Sequence, residues 1–226
     1  MTAPARIDHL VVAADTLEQG VQWCEATLGV TPGPGGQHPF MGTHNRLLRI
    51  ATGSYPRAYL EIIAVDPAAP ALRRTRWFDL DDKVLKQQLR QQPRLVHFIA
   101  STVDAPAALK ALRQIGIDRG ALLKAQRPSA NGPLNWRISV RRDGQRLFYG
   151  GLPTLIEWGA VHPADTMPDA GLALQSLHVS HPRPAALDDA YAAIGMEGVT
   201  VEQGTPNLVA TLLTPRGIVA LQSEGA

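Results

Sequence analysis

The stretch IDHLVV at residues 7–12 decides the fold, because a closely similar stretch, LVHFIA, returns at residues 95–100. Both runs are rich in β-branched and apolar residues, which is typical of buried strands, and both carry a histidine at the third position, His9 and His97. A helical pattern that ends at a glycine, Gly29 or Gly116, follows each run. The chain therefore contains an internal repeat of strand–helix–strand units.

Each repeat also ends on a strand that carries a glutamate. YLEII at residues 59–63 contains Glu61, and LIEWG at residues 155–159 contains Glu157. We therefore predict one domain at residues 1–163. It contains two modules, at residues 6–67 and 94–159, and an inserted helical segment at residues 73–92. Residues 172–226 begin in a similar way with LALQSLHVSHP but have no glutamate in the last strand, so they are predicted to form a divergent third module.

Composition narrows the function classes. With 45% hydrophobic and 19% charged residues the chain can bury a substantial core. The net charge is only +2, the basic residues are scattered and aromatic residues make up 5%, so no nucleic-acid partner is expected. A single cysteine, Cys24, favours the reducing cytoplasm. No targeting signal and no apolar run of about twenty residues is present, so no membrane partner is expected.

Two histidines and two glutamates at matched places suggest a metal site. Taken singly, a histidine or glutamate in a strand is more often a core or edge residue, but here the pair recurs in both modules. A buried carboxylate among apolar residues needs a partner, and coordination supplies one. Nitrogen and oxygen donors of this kind suit one divalent ion: Zn, Ni, Co, Mn or Fe(II). The predicted metal ligands are His9, Glu61, His97 and Glu157.

The two openings, the two strand ends and the segment GGQHPFMGTHNRLLRI at residues 35–50 resemble the glyoxalase-like branch of the vicinal oxygen chelate superfamily over residues 6–163. The resemblance implies an α+β fold of repeated βαβββ modules whose curved mixed sheets form a cup, with helices on the outer faces. It also implies a metal-dependent lyase or isomerase that acts on a small oxygenated metabolite. Glu157 or Glu61 would then be the catalytic base.

Other polar residues are candidates for substrate binding. His38, Thr43 and Asn45 follow two glycines on a predicted loop and could close over a substrate, although ordinary turn chemistry explains them equally well. Arg137, on a predicted strand, could hold a substrate carboxylate or phosphate, or form a structural ion pair. Trp158 directly follows Glu157 and should therefore point to the opposite face, into the core beneath the helices.

Two alternatives to the metal-dependent enzyme remain open. One is a metal-free protein that binds or sequesters a small molecule on the same fold. The other is a ring-opening dioxygenase, which would need two histidines and one carboxylate and is less well matched by a second glutamate. The third module could cover the cup of its own chain or pair with a second copy to form a homodimer.

Overall fold

A computed structural model describes residues 3–129 and 132–225. It confirms the predicted α+β fold with curved sheets. The first module contains β1 (Ala5–Ala13), α1 (Leu17–Leu28), β2 (Gln37–His38), β3 (Thr43–Arg49) and β4 (Tyr59–Val65). The inserted segment contributes α2 (Lys83–Gln91). The second module contains β5 (Arg94–Ser101), α3 (Ala105–Gln114), β6 (Ala121–Arg127), β7 (Leu134–Val140) and β8 (Thr154–Trp158).

The last part of the chain forms a second sheet. This part of the chain contains β9 (Ala173–His181), α4 (Pro184–Ile194), β10 (Met196–Glu197), β11 (Thr200–Gln203), β12 (Asn207–Thr214) and β13 (Gly217–Gln222). Of these strands, β10 pairs with β1 of the first module and not with the second sheet. The strand order of this sheet is β11-β9-β12-β13, so its first strand lies between two others. In the first two modules the first strand instead pairs with the last one, β1 with β4 and β5 with β8.

The two modules share one sheet, which has the strand order β2-β3-β4-β1-β5-β8-β7-β6. The two opening strands, β1 and β5, lie antiparallel at its centre, where His9 pairs with Ile99 and Val11 pairs with His97. This symmetrical register places the two histidines at equivalent positions about a pseudo-twofold axis, as the sequence repeat predicts. The concave face of this sheet is called the cup below.

Local sequence signals place the first helix. The side chain of Thr16 accepts a hydrogen bond from the backbone N–H of Gln19 and caps the start of α1. Gly29 ends the helix with a φ of 77°, a left-handed conformation that glycine adopts without steric penalty. The buried residues Cys24 and Leu28 lie on the face of α1 that packs against the outer face of the sheet.

The inserted segment fills much of the cup. Trp77, Phe78 and Leu80, together with Leu85 and Leu89 of α2, join one buried cluster with residues from the concave face of the sheet. The turn that carries Phe78 and Asp79 has two consecutive non-glycine residues with positive φ, 59° and 58°. An ion pair of 2.9 Å between Asp79 and Arg146 helps to hold this strained turn in place.

The third part of the chain packs on the opposite side of the first sheet. Leu95 and Phe98 of β5 lie in one cluster with Leu174, Leu208 and Leu212 of the second sheet. The cup lies on the other face of β5, where Ile99 belongs to a separate cluster. The second sheet therefore supports the cup from behind and does not cover it.

Candidate functional site

His9 and Glu61 come together on the half of the cup built by the first module. Glu61 lies on β4 opposite Val11 of β1, and His9 lies on the same face of β1 as Val11, so the side chains of His9 and Glu61 both face the cup. The Nε2 atom of His9 is 3.6 Å from Oε2 of Glu61, and both residues are 5% exposed. This separation is too long for a direct hydrogen bond, so the imidazole and the carboxylate face each other across a small gap.

Asp8 orients His9. The register between β1 and β5 shifts at this point, so Asp8 is an extra residue of a β-bulge and its side chain reaches the same region as that of His9. Oδ1 of Asp8 is 2.7 Å from Nδ1 of His9. The His9 ring also stacks on Tyr59, with 4.4 Å between the ring centroids. Two neighbours therefore hold the imidazole in one orientation.

The other oxygen of Asp8 accepts two further hydrogen bonds. Nε1 of Trp158 donates to Oδ2 at 2.9 Å, and Nε2 of His162 lies 3.0 Å from the same atom. The Nδ1 atom of His162 accepts from the backbone N–H of Ala164, which leaves the proton on Nε2 for Asp8. Burial alone would raise the pKa of Asp8, but the hydrogen bonds from His162 and His9 outweigh burial and hold the pKa below its ordinary range. Asp8 is therefore a buried carboxylate anion.

The segment after the two glycines forms two paired strands and not the predicted loop: His38 lies on β2 and Asn45 on β3, and both side chains line the cup. The amide of Asn45 donates to Oε1 of Glu61 at 2.5 Å and accepts from the backbone N–H of Gly36 at 2.7 Å. Nδ1 of His38 lies 3.1 Å from the hydroxyl of Thr43. Burial lowers the pKa of His38 to about 4, although Glu61 acts in the opposite direction, so this ring is neutral at neutral pH. Of the three predicted residues, His38 and Asn45 line the cup, and Thr43 contacts His38.

His97 does not join this group. Its Nδ1 atom lies 3.0 Å from the carbonyl oxygen of Gly150, and its Nε2 atom accepts from Arg119 and from the backbone N–H of Thr154, each at 3.1 Å. The ring is fully buried beneath Phe78, with 5.3 Å between the ring centroids. Burial first, and then the Arg119 charge, hold the pKa of His97 well below its usual value. Both ring nitrogens are thus engaged inside the protein.

Glu157 and Arg137 lie on the opposite face of the sheet. In the second module Thr154 pairs with Ile99, so Thr154 occupies the position that Glu61 has in the first module. Glu157, three residues further on, points to the outer face. There one carboxylate oxygen accepts from the backbone N–H of Ala105 at 3.0 Å, at the start of α3, and the other pairs with Arg137. Of the two alternatives predicted for Arg137, substrate binding or a structural ion pair, the structure shows the ion pair.

The four predicted metal ligands are therefore not assembled into one site. The donor atoms of His97 and Glu157 are held by other residues, and only His9 and Glu61 face each other. His38 adds an imidazole whose Nε2 atom is 4.0 Å from Oε1 of Glu61, but that oxygen already accepts from Asn45. Within residues 3–129 and 132–225, no group of three or more His, Cys, Asp or Glu side chains has an arrangement that could hold a metal ion. The described donor set does not fit the expected ion.

Several residues of the cup were not predicted. The sequence gives no sign of the bulge that turns Asp8 inward, and His162 finds its acidic partner through that bulge. Trp158 was expected beneath the helices, but it faces the cup, because Glu157 is the residue that faces the helices. Buried donor atoms of two cup residues, Nε1 of Trp77 and Nη1 of Arg127, have no hydrogen-bond partner among the described residues.

The fold and the cup define the class of protein: paired βαβββ modules that share one curved sheet, with ionisable residues on its concave face, are characteristic of the vicinal oxygen chelate superfamily. Within that class, the chain belongs to the glyoxalase-like domain family, whose sequence profile matches residues 7–195. A comparison with curated proteins gives no match.

A comparison with solved structures gives matches at low sequence identity. A hypothetical protein from Staphylococcus aureus is 14% identical, with a TM-score of 0.59 over 96% of this chain and 85% of that one. Methylmalonyl-CoA epimerase from Streptomyces coelicolor is 19% identical, with a TM-score of 0.44 over 71% of this chain and 99% of that one. A 4-hydroxymandelate synthase mutant from the same organism is 14% identical, with a TM-score of 0.48 over 98% of this chain and 63% of that one.

None of the helices in the described parts of the chain is long and apolar enough to cross a membrane.

Proposed function

We propose that this protein is an isomerase- or lyase-type enzyme that moves a proton at the carbon next to a carbonyl group of a small oxygenated metabolite. The observation that carries the proposal is the 2.7 Å contact between Asp8 and Nδ1 of His9, which leaves Nε2 of His9 facing Glu61 in the cup. Since Asp8 is an anion, the proton of a neutral His9 ring lies on Nδ1, and Nε2 presents its lone pair. A histidine held in this way by a carboxylate is suited to act as a general base.

The chemistry follows from these positions. Nε2 of His9 removes the proton, and the electron pair of the C–H bond moves into the substrate, so that negative charge develops on the carbonyl oxygen. Asp8 stabilises the imidazolium that forms. The unpartnered N–H of Trp77 is available to the oxygen that gains charge. If His9 returns the proton to an atom next to the one that lost it, the product is an isomer. If a group leaves from the neighbouring carbon instead, the product is that of a lyase. In either case His9 is neutral again once it has given up the proton.

Glu61 acts from the other side of the gap. Its Oε1 atom is fixed by Asn45, while Oε2 faces His9 at 3.6 Å. A substrate hydroxyl between the two residues could donate to Oε2 and be held in line with the base. Glu61 is therefore proposed to position the substrate or to exchange a second proton with it, without a step on a metal ion.

Proton exchange in deuterated water tests the proposal directly. The protein is incubated with 2-oxobutanoate, acetoin and dihydroxyacetone, and NMR follows the exchange of protons next to the carbonyl. We expect exchange of at least one compound by the wild type and a loss of about 10²-fold or more in His9→Gln, the usual contribution of a general base. The matched control His178→Gln, on β9 outside the cup, should keep the wild-type rate.

Binding of these compounds without exchange would overturn the enzyme proposal and favour the small-molecule binding protein. Elemental analysis of the same samples addresses the metal. If a bound divalent ion is lost in His9→Gln and exchange requires it, the metal-free mechanism is overturned. Removal of His97 or Glu157 should not change metal content, because neither side chain has a free donor facing the cup.

A further inference from the structure

A side groove opens next to the cup. Its walls are the loop Gly33–Gly35, Leu134, Val161 and the segment Thr166–Pro168, and they are mainly apolar. Two residues, Leu47 and Arg127, line both the side groove and the cup. These two residues mark the junction of the side groove and the cup, so a molecule that occupies both would contact Arg127.

Arg127 has an unused binding capacity at this junction. Its Nη1 atom is buried and makes no hydrogen bond with any described residue. No carboxylate of residues 3–129 or 132–225 forms an ion pair with it. The guanidinium lies so close to the backbone of Gly36 that a Cβ atom at that position would be 2.1 Å from Nη1. A buried donor without a partner is unfavourable, so a ligand that supplies an acceptor gains affinity there.

The chemistry of the junction selects the acceptor. Two guanidinium groups line the side groove. Nη1 of Arg49 donates to the carbonyl oxygen of Ala164 at 3.4 Å, whereas the buried Nη1 of Arg127 has no partner among the described residues. Arg127 can offset one negative charge, and its parallel N–H donors match a carboxylate. A phosphate dianion would bring a second charge into a region that already contains Asp8 and Glu61. An uncharged carbonyl would leave the charge of Arg127 without a partner.

From these contacts we infer that the substrate is a carboxylate with an apolar chain. Arg127 binds the carboxylate, and the chain lies in the side groove. The inference rests on the proposed function for the reactive end of the molecule, which lies beside His9, but the binding of the carboxylate does not depend on proton transfer.

Isothermal titration with three simple probes tests the inference: hexanoate, its uncharged analogue hexanamide, and acetate. We expect hexanoate to bind the wild type at least tenfold more tightly than either of the others, because hexanamide lacks the charge and acetate lacks the chain. In Arg127→Gln the affinity for hexanoate should fall at least tenfold. Arg90→Gln, at the exposed end of α2, is the matched control and should leave the affinity unchanged.

Three results would overturn the inference: equal affinity for hexanoate and hexanamide, equal affinity for hexanoate and acetate, or an unchanged affinity for hexanoate in Arg127→Gln. Circular dichroism of Arg127→Gln establishes that a loss of binding is not a loss of fold. If hexanoate binding depends on Arg127 while no carbonyl compound exchanges protons, the proposed function fails and the carboxylate site stands. If protons exchange but hexanoate binding is independent of Arg127, the carboxylate site fails and the proposed function stands.

Discussion

Replacement of Asp8 by asparagine tests the central contact of the site. The amide has one acceptor and one donor end, whereas the carboxylate accepts at both oxygens. Trp158 and His162 can only donate to Oδ2, because the indole nitrogen carries a proton and Nδ1 of His162 is engaged with Ala164. The NH₂ group of the asparagine must therefore face His9. We expect the His9 ring to change tautomer in Asp8→Asn, so that Nδ1 accepts and Nε2 carries the proton.

The structure sets the size of the effect. Three hydrogen bonds to a charged, fully buried carboxylate become hydrogen bonds to a neutral amide. Charged hydrogen bonds contribute about 1.5–3 kcal/mol and neutral ones about 0.5–1.5 kcal/mol, so the variant should lose about 3 kcal/mol of unfolding free energy. A protonated Nε2 cannot accept a proton, so any proton-transfer activity should fall by about 10²- to 10⁴-fold.

Two measurements check this prediction. Urea denaturation gives the unfolding free energies of the wild type, of Asp8→Asn and of the control Asp188→Asn, on the exposed side of α4, which should change by less than about 0.5 kcal/mol. Long-range ¹H–¹⁵N NMR reports which nitrogen of His9 carries the proton. A wild-type ring protonated on Nε2 alone, or the same tautomer in both proteins, would refute the reasoning.

Two further predictions concern residues 35–38, which include the two glycines and His38. The pKa of His38 is lowered to about 4 from 6.5, mainly by burial, so the unfolded chain binds more protons between these values. The free energy of unfolding therefore contains the full contribution of neutral His38 above pH 6.5 and decreases by up to about 3 kcal/mol as the pH falls towards 4. Urea titrations at pH 7 and 4.5 should show a smaller loss of unfolding free energy in His38→Gln than in the wild type. Equal losses in the two proteins would contradict the assignment. In Gly35→Ala the new Cβ would be 2.0 Å from the backbone carbonyl oxygen of Asn45, whereas in Gly36→Ala the nearest atoms would belong to the long Arg127 side chain. Thermal unfolding should therefore show a loss of stability of about 1–3 kcal/mol for Gly35→Ala and a much smaller loss for Gly36→Ala. Hexanoate binding should weaken in Gly36→Ala. The opposite order of stabilities would contradict this account.

The fold was predictable because its signals are local and repeated. Strand composition, the capping residue Thr16 and the helix-ending Gly29 are properties of short segments. The equivalence of His9 and His97 could also be read from the repeat, since matching openings imply matching positions about the pseudo-twofold axis. The residues that line a cup, in contrast, depend on strand register, which short segments do not specify.

Register explains why half of the predicted site did not assemble. The strand ends YLEII and LIEWG align in sequence at their glutamates. In the structure, however, the pairing of β5 with β8 places Thr154, and not Glu157, at the position that Glu61 occupies in the pairing of β1 with β4. A shift of three residues moves the side chain to the other face of the sheet. The bulge at Asp8 has the opposite effect, since it brings inward a residue that strict alternation would turn away from His9.

The two halves of the cup, although related by symmetry, have become chemically different. In the second half, Phe78 seals His97, and Arg119 and Thr154 take up the imidazole lone pair. Burial lowers the pKa of Arg119 to about 9 from 12.5, so this half contains a buried charge that stabilises the neutral form of His97. In the first half the corresponding histidine is held at Nδ1 by an anion, Asp8, and its Nε2 atom faces the cup. One histidine is thus fixed as a structural hydrogen-bond acceptor and the other is suited to take a proton. The same pair of positions therefore supports packing on one side of the pseudo-twofold axis and, we propose, proton transfer on the other.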